Sequence, residues 1–154
     1  MKLQQNTRLA LYSLLEFAAD PERQISAAEI AQKYEVSSHH LAKVLAELSR
    51  VGMVQSVRGV GGGYRFVGNA RRLTLMDVMA HFEDVMPTES NHGTGTPVGR
   101  AIASVLTEID EIAKASMSSI TLATMLRLIE RQRAAAATAH DARPDSAAKA
   151  HGKA

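Results

Sequence analysis

The chain contains no cysteine and no tryptophan, and only 4% of its 154 residues are aromatic. The absence of cysteine excludes disulfide bonds, thiolate metal ligands and thiol-based redox sensing. The core must therefore consist of aliphatic residues, alanine and methionine. No apolar run approaches the roughly 20 residues that a membrane-spanning helix needs, and no apolar signal segment opens the chain. We expect a cytoplasmic protein.

The charges are unevenly distributed, although the net charge is only +2. Residues 1–72 carry a net charge of +4, residues 73–130 a net charge of −5, and residues 131–154 a net charge of +3. A basic first half followed by an acidic part is typical of a chain in which one part meets nucleic acid and another has a different role.

Residues 37–52 have the pattern of a short amphipathic helix. Ser37 or Ser38 can accept hydrogen bonds from the free N–H groups of the first turn, and Gly52 suits the left-handed residue just past a helix end. Apolar residues recur at the i, i+3, i+4, i+7 spacing of one helix face. This face consists of Leu41, Val44, Leu45 and Leu48.

Four polar residues of this helix lie off its apolar face, and they are Ser38, His39, His40 and Lys43. They are expected to point outward from the N-terminal half, where a recognition helix contacts bases. The alternative is an ordinary solvated helix face with two surface histidines.

The next segment predicts a β-hairpin with a glycine-rich tip. Residues 53–58 and 64–67 show the alternation of two strands, and four of the five residues 59–63 are glycine. A phosphate-binding nucleotide loop would instead lead into a helix with a Lys-Ser/Thr pair. Arg58 and Arg65 flank the tip that begins at Gly59. An ordinary hairpin is the alternative, but beside a helix-turn-helix these residues favour contacts with phosphates or the minor groove.

Two further helices complete a winged helix-turn-helix domain within residues 1–72. The first is predicted over residues 7–19 and stops before Pro21, because the residue before a proline avoids the helical region. The second begins at a capping box of Ser26 and Glu29 and runs to Lys33 or Tyr34.

Residues 73–97 predict a short helix followed by a loop. Thr74 caps the helix, which is expected to stop around residues 84–87. Residues 89–96 contain no apolar side chain and are expected to form an exposed, mobile loop. We interpret this part as a candidate sensor segment.

Residues 98–133 predict two dimerisation helices. Pro97 suits the first turn of the long one. Its apolar residues follow the 4, 3, 4, 3 spacing of a coiled coil, which favours a dimer interface over packing on the same domain. The last helix is capped by Thr121 and ends near Arg133, and residues 134–154 predict a disordered basic tail. The apolar seam consists of Val98, Ile102, Val105, Ile109 and Ile112.

Several segments together resemble the bacterial IscR/NsrR/CymR-type winged-helix regulators, the "Rrf-two" family. The resemblance extends from about Leu3 to Arg131. It implies a homodimeric winged-helix transcription factor, usually a repressor, with crossed dimerisation helices. The segments that carry it occur in the family's order and comprise residues 41–45, 48–54, 56–59, 62–66 and 73–78.

The chain departs from this family at the iron–sulfur cluster. Many members hold a cluster through three cysteines before the long helix, whereas residues 87–97 contain none. Some members add a ligand from the first helix, where this chain has Arg8 and Tyr12. The resemblance therefore implies DNA binding and dimerisation without a cluster, and a small molecule or protein as effector. No diagnostic metal spacing joins the nearby ligand types, His81, Glu83, Asp84, Glu89 and His92.

These observations predict a mainly α-helical regulator that is not an enzyme. A homodimer would bind a near-palindromic operator in double-stranded DNA, with Lys43, Arg50 and Arg65 contacting mainly phosphates. An effector would act in the region of residues 82–97. The alternative is a winged-helix protein–protein interaction module that has lost sensing. No catalytic motif supports an enzyme.

Overall fold

The computed structural model describes residues 3–83 and 95–141. Within them, six helices and one two-stranded antiparallel sheet confirm the predicted mainly α-helical fold with a hairpin. In chain order the elements are α1 (Gln5–Ala19), α2 (Ala27–Lys33), α3 (Ser38–Arg50), β1 (Val54–Val57), β2 (Gly63–Phe66), α4 (Leu75–Met79), α5 (Pro97–Ser119) and α6 (Leu122–Asp141).

The hydrophobic core is centred on α1 and α3. Leu14 and Phe17 of α1 are fully buried, and the predicted apolar face of α3 is buried along its whole length. Leu122, the first residue of α6, is also fully buried in this core. The start of α6 is therefore fixed to the winged-helix part of the chain.

Helix α1 begins at Gln5, two residues before its predicted start, without a side-chain cap from Gln4. Serine caps set the starts of α2 and α3, as predicted. Ser37 Oγ accepts a hydrogen bond from the His40 N–H at 3.4 Å, and Ser26 Oγ accepts one from the Glu29 N–H at 3.2 Å. The carboxylate of Glu29 binds Arg23, so only one half of the predicted capping box is formed. Gly52 has a φ of +74°, as expected just past the end of α3.

The turn between α2 and α3 contains a strained residue. Glu35 has a φ of +53° and is the one non-glycine residue with positive φ in the described part of the chain. A side chain in this left-handed region costs roughly 1–2 kcal/mol relative to the right-handed region. This conformation lets the chain reverse between the two helices in four residues, 34–37.

The β-hairpin is attached to the segment that precedes α2. Val54 pairs with Phe66 at its buried end, and Val57 pairs with Gly63 next to its tip. Ile25 and Tyr64 exchange two backbone hydrogen bonds of 3.0 and 2.9 Å. The orientation of the hairpin beside α3 therefore depends on this bridge as well as on its own strand pairing.

Helix α4 begins with a complete capping box of Thr74 and Asp77. The helix ends at Met79, so the predicted end around residues 84–87 is wrong. Hydrogen-bonded turns continue the chain to Glu83. The predicted loop over residues 89–96 lies outside the described residues except for its last two positions.

The boundaries of α5 and of the start of α6 agree with their sequence signals. Thr96 Oγ1 accepts a hydrogen bond from the Gly99 N–H at 3.0 Å, with Pro97 in the first turn. Thr121 Oγ1 accepts one from the Thr124 N–H at 3.2 Å. No helix in residues 3–83 and 95–141 combines the length and apolarity needed to cross a membrane.

Helix α6 extends beyond its predicted end near Arg133. Residues 134–141 are helical, so the prediction of disorder is wrong for them. Their alanine-rich sequence has no bulky apolar side chain, but alanine is the strongest helix former and continues a helix whose start is already packed. Residues 142–154 of the predicted tail lie outside the described residues.

Candidate DNA-binding surface

The first turns of α3 present most of the predicted polar residues to solvent. Ser38, His39 and Lys43 are exposed, and their side chains make no hydrogen bond or ion pair within the described part of the chain. They form a polar patch that can accept a ligand without first breaking internal contacts.

His40 is held by a contact with α1. Its Nε2 atom lies 2.6 Å from Oδ1 of Asn6, and the residue is half-buried. Because an amide oxygen only accepts hydrogen bonds, this contact requires the ring hydrogen to be on Nε2. Asn6 is therefore part of this surface, although its position 34 residues away gave no sequence signal.

Arg50, predicted to contact phosphate, is paired within its own helix. Its Nε donates to Glu47 Oε2 at 2.8 Å and its Nη2 to Oε1 at 2.5 Å. This hydrogen-bonded pair lowers the pKa of Glu47 and raises the pKa of Arg50. The two charges largely cancel, so Arg50 adds less positive potential than the sequence predicted. The Glu-x-x-Arg spacing was a readable signal of this pair.

The hairpin places two predicted arginines differently. Arg58 is exposed and makes no hydrogen bond or ion pair within residues 3–83 and 95–141. Arg65 donates from Nε and Nη2 to Gln55 Oε1, at 3.2 and 2.8 Å. Gln55 is the cross-strand partner of Arg65. Arg58 is therefore the free cation next to the exposed Gly59, whereas Gln55 orients Arg65.

The predicted dimerisation seam lies exposed along α5. No residue of this helix is buried, although burying apolar side chains normally stabilises a folded protein. Leu106, beside the seam, is 54% exposed. The exposed fractions along the seam are 70% for Val98, 57% for Ile102, 57% for Val105, 55% for Ile109 and 61% for Ile112.

The described residues provide no set of metal ligands. Within residues 3–83 and 95–141, no three His, Asp or Glu side chains form a group that could hold a metal ion. Asp84, Glu89 and His92 lie outside these ranges. Many members of the resembled family hold an iron–sulfur cluster through cysteine thiolates, and the chain has no cysteine to supply them. The residues present therefore do not fit such a cluster.

A cavity of about 620 Å³ lies between α1, the end of α2, and α6. The rings of Tyr12 and Tyr34 stack on one wall, with centroids 4.7 Å apart and an interplanar angle of 16°. Glu16 Oε1 accepts hydrogen bonds from the Tyr34 hydroxyl at 2.5 Å and from Lys33 Nζ at 2.6 Å. Leu15, Met125, Leu126 and Ile129 supply apolar walls.

Two side chains of this cavity, Glu16 and Tyr34, have shifted pKa values. Burial raises the pKa of Glu16, but the hydrogen bonds from Lys33 and Tyr34 outweigh burial and leave the pKa below its ordinary value of 4.5. Burial and the Glu16 carboxylate together raise the pKa of Tyr34. Glu16 therefore stays ionised and Tyr34 stays neutral at physiological pH.

Comparison with known proteins identifies relatives over most of the chain. The profile of the Rrf2 family, described as an iron-dependent transcriptional regulator, matches residues 3–128. The chain is 46% identical over 134 residues to a protein named as the HTH-type transcriptional regulator BadM of Rhodopseudomonas palustris. The match covers 86% of each chain.

Solved structures of regulators share the fold. CymR, the global cysteine regulator of B. subtilis, superimposes with a TM-score of 0.71 and 26% identity, covering 83% of this chain and 98% of CymR. IscR of T. potens shares the fold with a TM-score of 0.66 and 24% identity, covering 99% of this chain and 94% of IscR. The chain therefore belongs to the Rrf2 family of winged-helix transcriptional regulators.

Proposed function

We propose that this protein is a cytoplasmic, homodimeric repressor that binds a near-palindromic operator in double-stranded DNA and contains no iron–sulfur cluster. The observation that carries the proposal is that α3 carries exposed polar side chains without internal partners, and that the hairpin packed against α3 through β1 carries an exposed arginine without one. Repression is assigned because the regulators that the chain resembles are usually repressors.

In the proposed complex, α3 would contact the major groove and the hairpin would contact the adjacent minor groove. Ser38, His39 and His40 of α3 would contact base edges in the major groove, with Lys43 on a neighbouring phosphate. Arg58 and the tip at Gly59 would enter the adjacent minor groove or contact its phosphates. Arg50 and Arg65 would add phosphate contacts only after partial release from their present partners.

Dimerisation would follow from the exposed apolar seam on α5. Six large aliphatic side chains of this helix, counting Leu106, are each more than half exposed. A contiguous apolar surface of this kind marks an interaction site in a soluble protein, and its spacing suits a second helix of the same type. Two recognition helices related by this contact would meet half-sites about one helical turn, roughly 34 Å, or a multiple of it apart.

Signal detection would differ from that of cluster-containing relatives. Without cysteine, a thiolate-ligated cluster cannot form, so the iron dependence in the family description does not extend to this chain through such a cluster. We assign the effector, a small molecule or a protein, to the region of residues 82–97, where it would change the angle between the two hairpins.

The proposal is tested by incubating the purified protein with genomic DNA fragments at moderate salt and sequencing the retained fragments. The absorption spectrum of the protein is recorded first. The expected result is a colourless protein that enriches a near-palindromic site. A spectrum typical of an iron–sulfur cluster would overturn the cluster-free assignment. Failure to enrich any site would overturn operator binding and favour a protein–protein interaction module.

A further inference from the structure

The first turn of α1 contacts Glu83, which lies four residues after the end of α4. Oε1 of Glu83 accepts hydrogen bonds from the Gln4 N–H and from the Thr7 hydroxyl, both at 2.7 Å. Thr7 is fully buried, and Gln4 makes no side-chain capping bond of its own. Glu83 therefore acts as the cap of α1, at the helix end where a negative charge is favourable.

The same turn of α1 also contacts the recognition helix. Asn6, adjacent to Thr7, accepts a hydrogen bond from Nε2 of His40 at 2.6 Å. The backbone of His40 is fixed independently by Ser37, the N-cap of α3. With one ring nitrogen bound to Asn6, the imidazole is restrained in rotation, and only Nδ1 stays available for a further partner. Ordering a side chain before binding reduces the entropy lost on contact with a ligand.

We propose that Asn6 is a positioning residue for DNA recognition, that it holds the His40 ring in one orientation, and that Glu83 fixes the turn that carries Asn6. The inference rests on the proposed function, because the orientation of His40 matters only if α3 reads DNA. It extends that function by connecting residue 83, which lies inside the region assigned to the effector, with the candidate DNA-binding surface on α3. A displacement of Glu83 releases the first turn of α1 and with it His40.

The test compares the affinities of the full chain for a set of operators that differ from the best site by one base pair each. Asn6→Ala is expected to lower discrimination about fivefold to tenfold at the same base pairs as His40→Ala, since one good base contact gives roughly 1–3 kcal/mol of discrimination. The double variant is expected to lose no more discrimination than His40→Ala alone, because Asn6 acts only through His40. Gln5→Ala is the control, because Gln5 is exposed in the same turn and makes no side-chain hydrogen bond within the described residues.

Two variants of residue 83 test the second half of the inference. Glu83→Gln keeps the acceptor oxygen and is expected to retain the wild-type base preferences, whereas Glu83→Ala is expected to reproduce the Asn6→Ala profile. Thermal unfolding of each variant is measured in parallel. A Glu83→Ala profile equal to that of the wild type would overturn the role of Glu83.

The outcomes separate this inference from the proposed function. A wild-type protein without base preference overturns operator binding itself. A selective wild-type protein whose profile is unchanged by Asn6→Ala overturns only the positioning role. An equal loss of affinity for every operator variant also overturns it, because that result indicates a structural rather than an orienting contribution.

Discussion

Gly63 lies so close to Ile25 that a methyl group on its α-carbon would be 2.5 Å from the Ile25 carbonyl oxygen. The hydrogen bonds between Ile25 and Tyr64 hold strand β2 against the segment before α2. Glycine is needed at this position because the backbones approach each other too closely for a side chain. This close approach holds the hairpin in its orientation beside α3.

We therefore expect Gly63→Ala to separate β2 from the Ile25 segment. The free energy of unfolding should fall by about 1–3 kcal/mol, the usual cost of overpacking, and operator affinity should fall because the hairpin moves. Denaturant unfolding measures the first effect. Gly95→Ala is the control, since among the described residues no atom lies within 4 Å of its added methyl group. Equal stability of Gly63→Ala and the wild type would contradict the steric argument.

Arg58→Ala is expected to weaken operator binding about tenfold and to reduce the salt dependence of binding by about one phosphate contact. Arg58 is exposed, so the stability should stay within about 0.5 kcal/mol of the wild type. Fluorescence anisotropy over a series of salt concentrations measures both binding effects. Arg131→Ala is the control: it removes an exposed arginine on α6, outside the proposed DNA-binding surface. It should change neither the operator affinity nor the salt dependence of binding. Unchanged affinity of Arg58→Ala would remove the hairpin from the proposed mechanism.

Ile109→Asp should produce monomers with little operator affinity, because it places a charge in the centre of the exposed seam of α5. Ile109 is 55% exposed in the subunit, so the helical circular dichroism signal should be retained. Light scattering coupled to gel filtration measures the oligomeric state. Asp110→Ala changes an exposed neighbour outside the seam and should stay dimeric. A dimeric Ile109→Asp protein would show that the interface lies elsewhere.

Glu16→Gln should change how stability depends on acid. The pKa of Glu16 is below 4.5 in the folded chain, so its stabilising effect is present above that pH and is lost as the pH falls through the lowered pKa. The variant should lose about 1 kcal/mol at neutral pH, a modest value because Lys33 is half-exposed. The free energy of unfolding of the variant should also fall less than that of the wild type as the pH is lowered, because the variant has no carboxylate at position 16 to protonate. Urea unfolding at several pH values tests this, with the exposed Glu22→Gln as control.

Features with a local chemical cause were predicted well from the sequence. The Ser37 cap, the positive φ of Gly52 and the capping box of Thr74 each depend on residues within a few positions of one another. The extension of α6 to Asp141 is not predicted by the sequence, because residues 134–141 have no bulky apolar side chain to pack against a core. Leu122 in the first turn of α6 is buried, and the high helix propensity of alanine continues the helix from there despite the lack of bulky apolar side chains.

The helix and the hairpin that carry the candidate residues are predicted by the sequence, but most hydrogen-bond partners of these residues are not. The contact of His40 with Asn6 and the cap by Glu83 join residues distant in the chain, and no periodicity indicates them. The pairing of Arg50 with Glu47 is local, and the spacing of three residues between them indicates it. Sequence patterns thus predict the secondary structure of this candidate surface better than they predict which of its charged side chains are free of internal partners.

The turn between α2 and α3 has a consequence for attempts to improve the protein. The left-handed conformation of Glu35 is one that asparagine and glycine adopt more readily than glutamate. Because this strain lies in the turn between α2 and α3 and not in the proposed DNA-binding patch, we expect that it can be removed without altering DNA recognition. A laboratory selection for heat resistance that preserves DNA recognition should therefore return asparagine or glycine at position 35 early.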